Sequence, residues 1–232
     1  MTFFFSDTVP VTTGTVSVAF TDASIDLGDL AASAVREAAL DEVAAATGAT
    51  PYVMHQVHGT TVHVVESPVD GPAGSVPDAD ALVTSEAGVA LLARAADCVP
   101  VLLVAETGHV GAVHAGREGV RRGVVPAAVE RLRELGATGV RAWVGPHICG
   151  RCYEVPDEMR AEVVAVVPAT DATTSWGTPA LDLGAGVLAQ LADAGVRAVE
   201  VGGCTREDDT LHSHRRDGTA AGRLAGVVWR TP

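Results

Sequence analysis

Residues 89–116 have the sequence VALLARAADCVPVLLVAETGHVGAVHAG, and this stretch decides the fold. It contains three short apolar runs, Val89–Ala93, Pro100–Ala105 and His109–His114, bounded by Asp, Pro or Gly. Runs of this length, rich in β-branched residues and bounded in this way, are typical of β-strands. Because the three strands follow one another without a helix between them, we expect a mixed sheet rather than a strictly doubly wound one.

Outward from this stretch, strands and helices alternate imperfectly. Similar runs predict further strands at Thr15–Phe20, Pro51–Gln56, Thr61–Glu66, Arg141–Val144 and Ala198–Val201. Apolar residues at helical spacing predict helices at Ala31–Thr47, Val120–Leu135, Pro156–Val166 and Gly184–Ala194. No linker, low-complexity tract or internal repeat divides the sequence. We therefore predict an α/β fold, a single domain over residues 1–232 with a mixed β-sheet flanked by helices.

Composition excludes several classes of chemistry. The 232 residues include 16 Lys and Arg, all of which are Arg, and the sequence contains neither Lys nor Asn. A Walker phosphate loop and pyridoxal catalysis both need Lys, and N-glycosylation needs Asn, so none of these can operate. The net charge of −13 disfavours binding to nucleic acid and to anionic membrane surfaces.

The cysteine content predicts a reducing compartment. Residues 1–11 have no positively charged segment and no small-residue cleavage site, so we expect no export signal. No apolar run reaches the length of a membrane span. A cytoplasmic location is therefore predicted, in which the four cysteines are free or bound to metal rather than paired.

Metal-binding residue types concentrate at the ends of three predicted strands. His58 lies in His55-Gln-Val-His58-Gly59, Cys98 follows Asp97 before an apolar run, and His114 lies in His114-Ala-Gly116. Since strand ends of one sheet lie close together, two His and one Cys can converge on one ion and leave a fourth position open. That ligand set is typical of a catalytic zinc site rather than a closed structural one.

The order of the motifs carries a resemblance to a known family. The motifs are His55–Gly59, Asp80–Thr84, Ala96–Pro100, His114–Gly116, Gly145–Pro146 with Tyr153–Val155, and Arg215–Gly218 with Gly222–Arg223. Together they resemble the bacterial multicopper-polyphenol-oxidase-like family, also called the laccase-domain or purine nucleoside phosphorylase family. The resemblance covers nearly the whole sequence, from about Val16 to Trp229. It implies that His58, Cys98 and His114 are the metal ligands.

The same resemblance implies an activity. It is the zinc-dependent phosphorolysis of adenosine, inosine, guanosine and methylthioadenosine to the base and ribose 1-phosphate, with deamination of adenosine as a side activity. The implied partners are a small-molecule nucleoside and phosphate, with no nucleic acid and no membrane, and the implied assembly is a monomer or homodimer. Without Lys, phosphate must be bound by Arg, His or backbone amides, so the candidate cations are Arg117, Arg215, Arg216 and Arg223.

We predict catalytic roles for Asp97 and Arg117, and substrate-binding roles for Gln56, His147, Arg215 and Arg216. The sequence also departs from the family pattern in three places. Arg117-Glu118 stands where relatives have Trp-Arg, and His212 and His214 stand where they have an aromatic pair. Ala38-Ala39 replaces an Asn-Arg pair in the first helix, and the nearby Arg36 is expected to point to another face. These changes affect phosphate and nucleoside contacts and leave the metal ligands unchanged.

Several alternatives remain open. Copper-dependent phenol oxidation is one, because a Cys-His₂ site accepts Cu²⁺, although four-electron oxygen reduction requires several coppers. Editing of wrongly built peptidoglycan precursors is another, with Cys98 as nucleophile and a histidine as base. A non-catalytic scaffold is the third.

The remaining cysteines are given a structural interpretation. Cys149-Gly-Arg-Cys152 has the spacing of a redox or zinc motif, but no second Cys pair accompanies it, and a loop position accounts for it. Cys204 is expected to contribute to packing.

Overall fold

The computed structural model describes residues 3–29, 31–67 and 76–231. The strands are β1 (Phe3–Val11), β2 (Gly14–Thr21), β3 (Thr50–Tyr52), β4 (Val62–Val64), β5 (Ala81–Thr84), β6 (Val89–Ala95), β7 (Val99–Val104), β8 (Val110–Ala115), β9 (Arg141–Val144), β10 (Asp171–Thr173), β11 (Pro179–Leu181), β12 (Arg197–Glu200) and β13 (Leu224–Arg230). The helices are α1 (Ser33–Thr47), α2 (Arg117–Arg122), α3 (Val124–Glu134), α4 (Asp157–Val164), α5 (Leu183–Asp193) and α6 (His214–Asp217). Within the described ranges, every helix is too short or too polar to traverse a bilayer.

Two large mixed sheets hold most of the strands. The first has the order β1-β2-β13-β6-β3, the second has the order β12-β9-β7-β8-β5-β4, and β10 pairs with β11 in a separate ribbon. Parallel pairing occurs between β3 and β6, β4 and β5, and β9 and β12, and the other pairs are antiparallel. The predicted α/β class, with mixed sheets flanked by helices, is confirmed, and the strands are divided over two sheets.

The two sheets pack face to face between layers of helices. Successive side chains of a strand point to opposite faces, so β7 contributes to two cores. Leu102 packs in one core with Phe20 of the first sheet, whereas Val101 packs in another core with Val129 of α3. The outer face of the first sheet is covered by α1, through Val43 among others. The layers are therefore α1, first sheet, second sheet, and then α3 with α5.

Strand register brings candidate site residues to one end of the second sheet. In the β7–β8 hairpin Val99 is opposite Ala115, so Cys98 lies beside the end of β8, which contains His114. Strand β5 runs antiparallel to β8, and the His114 N–H donates to the Asp80 carbonyl at 2.8 Å. Asp80, Cys98 and His114 are therefore neighbours because of sheet pairing and not because of sequence spacing.

The predicted strand Pro51–Gln56 is wrong beyond Tyr52, where the chain leaves the first sheet. From there Gln56 takes over the pairing with β6 through its side chain. Its Nε2 donates to the Arg94 carbonyl at 2.7 Å, and its Oε1 accepts the Arg94 N–H at 2.9 Å. The side-chain amide thus replaces a backbone neighbour and lets the following residues turn towards the site.

The continuous helix predicted over Val120–Leu135 is also wrong. Gly123 has a φ of 85°, in the left-handed region, so it ends α2 and begins α3. The strands β1, β5, β10, β11 and β13 were not among the predicted elements. The assignment of residues 1–232 to one domain stays a prediction, since residues 1–2, 30, 68–75 and 232 lie outside the described ranges.

Candidate metal centre

The structure brings together the three residues that the sequence predicts as metal ligands. The donor atoms of His58, Cys98 and His114 all lie within 4.8 Å of one another. Cys98 Sγ is 3.9 Å from His58 Nε2, and the two imidazole rings meet edge to face with centroids 4.9 Å apart. His58 reaches this position from a left-handed backbone conformation with a φ of 59°. Such a conformation is uncommon outside glycine.

Asp80 orients two of the three candidate ligands, a role that the sequence analysis missed. Its carboxylate accepts from His114 Nδ1 at 2.8 Å, from the His58 N–H at 3.0 Å and from the Gly59 N–H at 2.6 Å. Because a carboxylate only accepts hydrogen bonds, neutral His114 carries its proton on Nδ1. The lone pair of Nε2 is then free to bind a metal. A carboxylate behind a ligating histidine is a recurrent feature of metal sites.

Electrostatics pair the Cys98 thiol with the His114 imidazole. Burial would raise the pKa of the thiol and lower that of the imidazole, but the opposite charges and their hydrogen bonds outweigh it. The pKa of Cys98 is lowered to about 6, and the pKa of His114 is raised to about 9. Burial of Asp80 is likewise outweighed by the hydrogen bonds from His114, Gly59 and His58, which lower its pKa. Without a metal, thiolate and imidazolium therefore coexist at neutral pH.

The donor set fits a tetrahedral ion. With Zn–S near 2.3 Å and Zn–N near 2.0–2.1 Å, tetrahedral geometry separates S and N by about 3.6 Å. The 3.9 Å between Cys98 Sγ and His58 Nε2 is close to this value. One thiolate and two imidazoles leave a fourth position, which is typical of catalytic rather than structural zinc sites.

Gly116 leaves room for the ligands. A Cβ at this position would lie 2.6 Å from His58 Cδ2 and 3.2 Å from Cys98 Sγ. Its φ of −77° is ordinary, so close approach rather than backbone conformation requires glycine here. The Ala-Gly that follows His114 is thus explained by the space that the His58 ring occupies.

We expect alkylation of the metal-free protein to report the lowered pKa of Cys98. Iodoacetamide reacts with the thiolate, so the Cys98 rate should fall only about tenfold from pH 7 to pH 5, as a pKa of about 6 requires. Cys149 and Cys152, whose pKa values are raised by burial and by neighbouring thiols, serve as internal controls that react slowly at both pH values. Mass spectrometry assigns each label. A Cys98 rate that is still rising steeply above pH 8 would contradict the pairing with His114.

A cavity of about 420 Å³ opens onto the candidate ligands. Its wall includes Arg94, Tyr153, His214, Arg215 and Arg223. Arg215 donates to the Glu154 carbonyl and stacks over the Tyr153 ring at 4.8 Å, and Arg223 donates to backbone carbonyls. Neither guanidinium forms an ion pair with a carboxylate in the part of the chain that the structure describes. The cavity therefore presents free positive charge in a chain with a net charge of −13.

The structure places two of the four candidate substrate-binding residues in the cavity wall and two outside it. Gln56 and Arg215 line the cavity. Arg216 is outside the cavity wall, with its guanidinium donating to the carbonyls of Thr205, Asp208 and Leu211. His147 is buried elsewhere, and its Nδ1 donates to the Gly145 carbonyl at 2.8 Å.

The two candidate catalytic residues have other contacts. Asp97 lines the cavity, and its carboxylate accepts from Thr205 Oγ1, Ser213 Oγ and the Arg215 N–H, each at 2.7 Å. These bonds tie the turn before Cys98 to the segment that carries Arg215. Arg117, the first residue of α2, is outside the cavity wall and pairs with Glu118 at 2.9 Å. The catalytic roles of both residues stay predictions.

The ion pair of Arg94 with Asp29 at the cavity was not predicted from the sequence, and in it Arg94 is buried whereas Asp29 is exposed. Arg94 is 4% exposed and donates to both Asp29 oxygens, at 2.5 and 3.1 Å. Arg36 Nη1 also lies 3.4 Å from Asp29 Oδ1, and the expectation that Arg36 points to another face than Ala38-Ala39 stays a prediction. The sequence did contain a sign of this pair, since Arg94 is the one charged residue in the otherwise apolar run of β6. A buried charge needs a partner of opposite charge.

Comparisons with known proteins place these features in context. Residues 11–231 match the family model described as multi-copper polyphenol oxidoreductase laccase. A Streptomyces coelicolor protein named purine nucleoside phosphorylase is 56% identical over 181 residues, covering 76% of this chain and 73% of that one. One from Mycobacterium tuberculosis is 44% identical over 205 residues, covering 87% and 80%.

Two solved structures share the fold of this chain. A Neisseria meningitidis protein has a TM-score of 0.83 at 26% identity and covers all of both chains. YlmD from Geobacillus stearothermophilus has a TM-score of 0.83 at 27% identity, covering 94% of this chain and 92% of that one.

Proposed function

Because the chain belongs to the multi-copper polyphenol oxidoreductase laccase family, we propose that it is a zinc-dependent purine nucleoside phosphorylase of the cytoplasm. The proposed substrates are adenosine, inosine, guanosine and methylthioadenosine, each with phosphate, and deamination of adenosine is a side activity. The names of the Streptomyces and Mycobacterium relatives support a phosphorylase. The proposal extends to a monomer or homodimer that binds neither nucleic acid nor membrane.

One observation carries the proposal: an open Cys-His₂ donor set lies at a cavity that also holds unpaired guanidinium groups. The donor set comprises His58, Cys98 and His114, and the guanidinium groups belong to Arg215 and Arg223. A volume of about 420 Å³ lies within the range of roughly 300–1,000 Å³ that is usual for small-molecule sites. The cavity therefore combines a metal position with a binding place for an anion.

Phosphorolysis forms a bond between a phosphate oxygen and C1′ of the ribose while the C1′–N9 bond breaks. The electron pair leaves with the purine, which gains the proton that hydrogen phosphate loses. A zinc ion held by His58, Cys98 and His114, when bound, supplies Lewis-acid polarisation of a phosphate or water oxygen. In deamination, water replaces the amino group at C6, and ammonia leaves.

The residues of the chain supply binding and orientation. Arg215 and Arg223 present guanidinium forks, which suit the tetrahedral oxygens of phosphate. Burial raises the pKa of Tyr153, so its hydroxyl keeps its proton and can donate a hydrogen bond in the cavity. The exposed ring of His214 offers a flat surface to the purine, at a position where the sequence lacks the family's aromatic residue.

A second candidate function also rests on a specific observation. Hydrogen bonds link the Cys98 thiol to the His114 imidazole, and the imidazole to the Asp80 carboxylate. Cysteine hydrolases use a nucleophile, a base and an orienting group in this order. This arrangement favours an acyl-transfer reaction such as the editing of peptidoglycan precursors. The two functions differ in the reactivity of the Cys98 thiol. In a zinc enzyme, Cys98 is protected from iodoacetamide until a chelator removes the zinc. In a metal-free hydrolase, Cys98 reacts with iodoacetamide at once.

Product analysis tests the proposed function. Zinc-loaded protein incubated with adenosine and phosphate should release adenine, and the amount of ribose 1-phosphate should equal that of adenine plus any hypoxanthine formed from inosine. Omission of phosphate should stop the release of both bases and of ribose 1-phosphate. Inosine is expected as a minor product whose formation does not depend on phosphate. The Cys98→Ala variant is the control, and it should form neither adenine nor inosine above background. Equal product formation by this variant would exclude the proposal, as would oxidation of a phenol by copper-loaded protein in the absence of phosphorolysis.

A further inference from the structure

Three cysteines that play no part in the proposed reaction meet on the far side of Asp97. Cys149 and Cys152 lie in the turn after β9, and Cys204 lies in the loop after β12. Strands β9 and β12 are adjacent and parallel, so their carboxyl ends, and the loops that follow them, are neighbours. We call Cys149, Cys152 and Cys204 the thiol cluster.

Backbone hydrogen bonds fix this convergence. His147 and Cys204 form a parallel bridge, in which the His147 N–H donates to the Gly203 carbonyl at 3.2 Å and the Thr205 N–H donates to the His147 carbonyl at 3.1 Å. A tight turn closes the Cys149-Gly-Arg-Cys152 segment, because the Cys152 N–H donates to the Cys149 carbonyl at 2.9 Å. The second Cys pair that the motif lacks in sequence is therefore replaced in space by Cys204.

The cluster has the composition of a metal site. The three sulfur atoms and a carboxylate oxygen of Glu207 all lie within 4.8 Å of one another. The Cys149 N–H donates to Cys204 Sγ at 3.4 Å, which stabilises negative charge on that sulfur. Two cysteines separated by two residues, with further ligands from a distant loop, are typical of structural zinc sites.

Two arginines beside the cluster balance the negative charge that three thiolates and a carboxylate would carry. Arg151 Nη2 lies 3.7 Å from Glu207, and Arg206 Nη1 donates to the Cys152 carbonyl at 3.3 Å, so two guanidinium groups offset the negative ligands. Cys152 is buried, whereas Glu207 is exposed, which leaves an entry path for an ion.

We propose that Cys149, Cys152, Cys204 and Glu207 form a second zinc site, separate from the centre of His58, Cys98 and His114. Three thiolates with one carboxylate make a closed four-ligand set, which is structural rather than catalytic. Its binding forms three Zn–S bonds and one Zn–O bond and releases three thiol protons to the solvent. No redox step is involved.

The second site joins two loops that both contact Asp97. The Ile148 N–H donates to the Asp97 carbonyl at 3.0 Å, and Thr205 Oγ1 donates to the Asp97 carboxylate at 2.7 Å. Asp97 directly precedes Cys98, and Tyr153, which follows Cys152, lines the cavity. Zinc in the thiol cluster therefore positions the cavity wall without contacting the substrate.

Metal content tests the second site without reference to activity. Reduced, metal-free protein is loaded with Zn²⁺, freed of excess ion and analysed, and wild type should hold about two ions per chain. Cys98→Ala and Cys204→Ala should each hold about one, and the double variant should hold almost none. Circular dichroism verifies that each variant folds.

Two further measurements keep the result independent of folding defects. Glu207→Gln changes an exposed carboxylate and should weaken binding of the second ion by about tenfold or more, whereas Glu158→Gln, exposed on α4, should leave it unchanged. Co²⁺ bound to Cys98→Ala should show strong sulfur-to-cobalt absorption from three thiolates, roughly three times that of Co²⁺ bound to Cys204→Ala.

The proposal is overturned by either of two results. In the first, wild type binds one ion and Cys204→Ala still binds that ion. In the second, thiol counting after mild oxidation shows that two of the three cysteines pair in a disulfide, while the reduced protein takes up no second ion.

Discussion

Asp80→Asn is expected to weaken zinc binding by about 10–100-fold, and to lower phosphorolysis at limiting zinc in proportion. The buried carboxylate serves His114 Nδ1 and the backbone of His58 and Gly59 at the same time. An amide in its place removes the charge and offers an N–H₂ group to donors that need an acceptor. His114 Nδ1 then loses its charged acceptor, and the turn that carries His58 loses the bond from the Gly59 N–H, which an N–H₂ group cannot accept. Isothermal titration of metal-free protein with Zn²⁺ measures the change.

A matched control lies two residues away. Asp78 accepts from His55 Nδ1 at 2.8 Å, the same distance as in the Asp80–His114 pair, but the side chains of Asp78 and His55 are both mostly exposed. Exposed pairs of this kind contribute little, so Asp78→Asn should change zinc affinity by less than about twofold. Equal zinc affinity in Asp80→Asn and wild type would show that the carboxylate does not orient the ligands.

Strands of both sheets could be predicted from local sequence. The apolar runs that became β6, β7 and β8 are buried throughout, and their positions agree with the expected strands to within two residues. Short elements gave weaker signals. Strand β5 has only four residues, and β10 and β11 have three each, so their pairing partners rather than their composition define them.

The candidate ligands were predictable, whereas their supports were not. His58, Cys98 and His114 carry their chemistry in their residue type. Cys98 and His114 lie at strand ends as predicted, whereas His58 lies in the loop between β3 and β4. Asp80 acts through its distance to His114, and that distance follows from the pairing of β5 with β8, which no local pattern specifies.

The arginines and cysteines illustrate the same limit. Arg216 belongs to a sequence motif, yet its guanidinium donates to backbone carbonyls outside the cavity wall. Arg94 belongs to no motif and is buried at the cavity. Cys204 is far from Cys149 in sequence and adjacent to it only because β9 and β12 pair in parallel. Long-range strand pairing, not residue type, decides which side chains share a site.

Removal of zinc should have the largest effect on activity. Lewis-acid stabilisation amounts to several kcal/mol, so chelated protein should lose phosphorolysis of adenosine by about 100-fold or more. The Cys204→Ala variant serves as a background in which only one of the two proposed sites can be filled. In it, activity should rise with added Zn²⁺ and level off at about one ion per chain, at a level below that of wild type because the second ion that positions the cavity wall is missing.

The most direct measurement is therefore the release of adenine as metal-free Cys204→Ala protein is titrated with Zn²⁺, compared with the Cys98→Ala, Cys204→Ala double variant. Activity is expected to return with the bound ion in the first protein and to stay at background in the second. Full activity of the metal-free protein, or restoration by zinc in the double variant, would contradict a catalytic zinc at His58, Cys98 and His114.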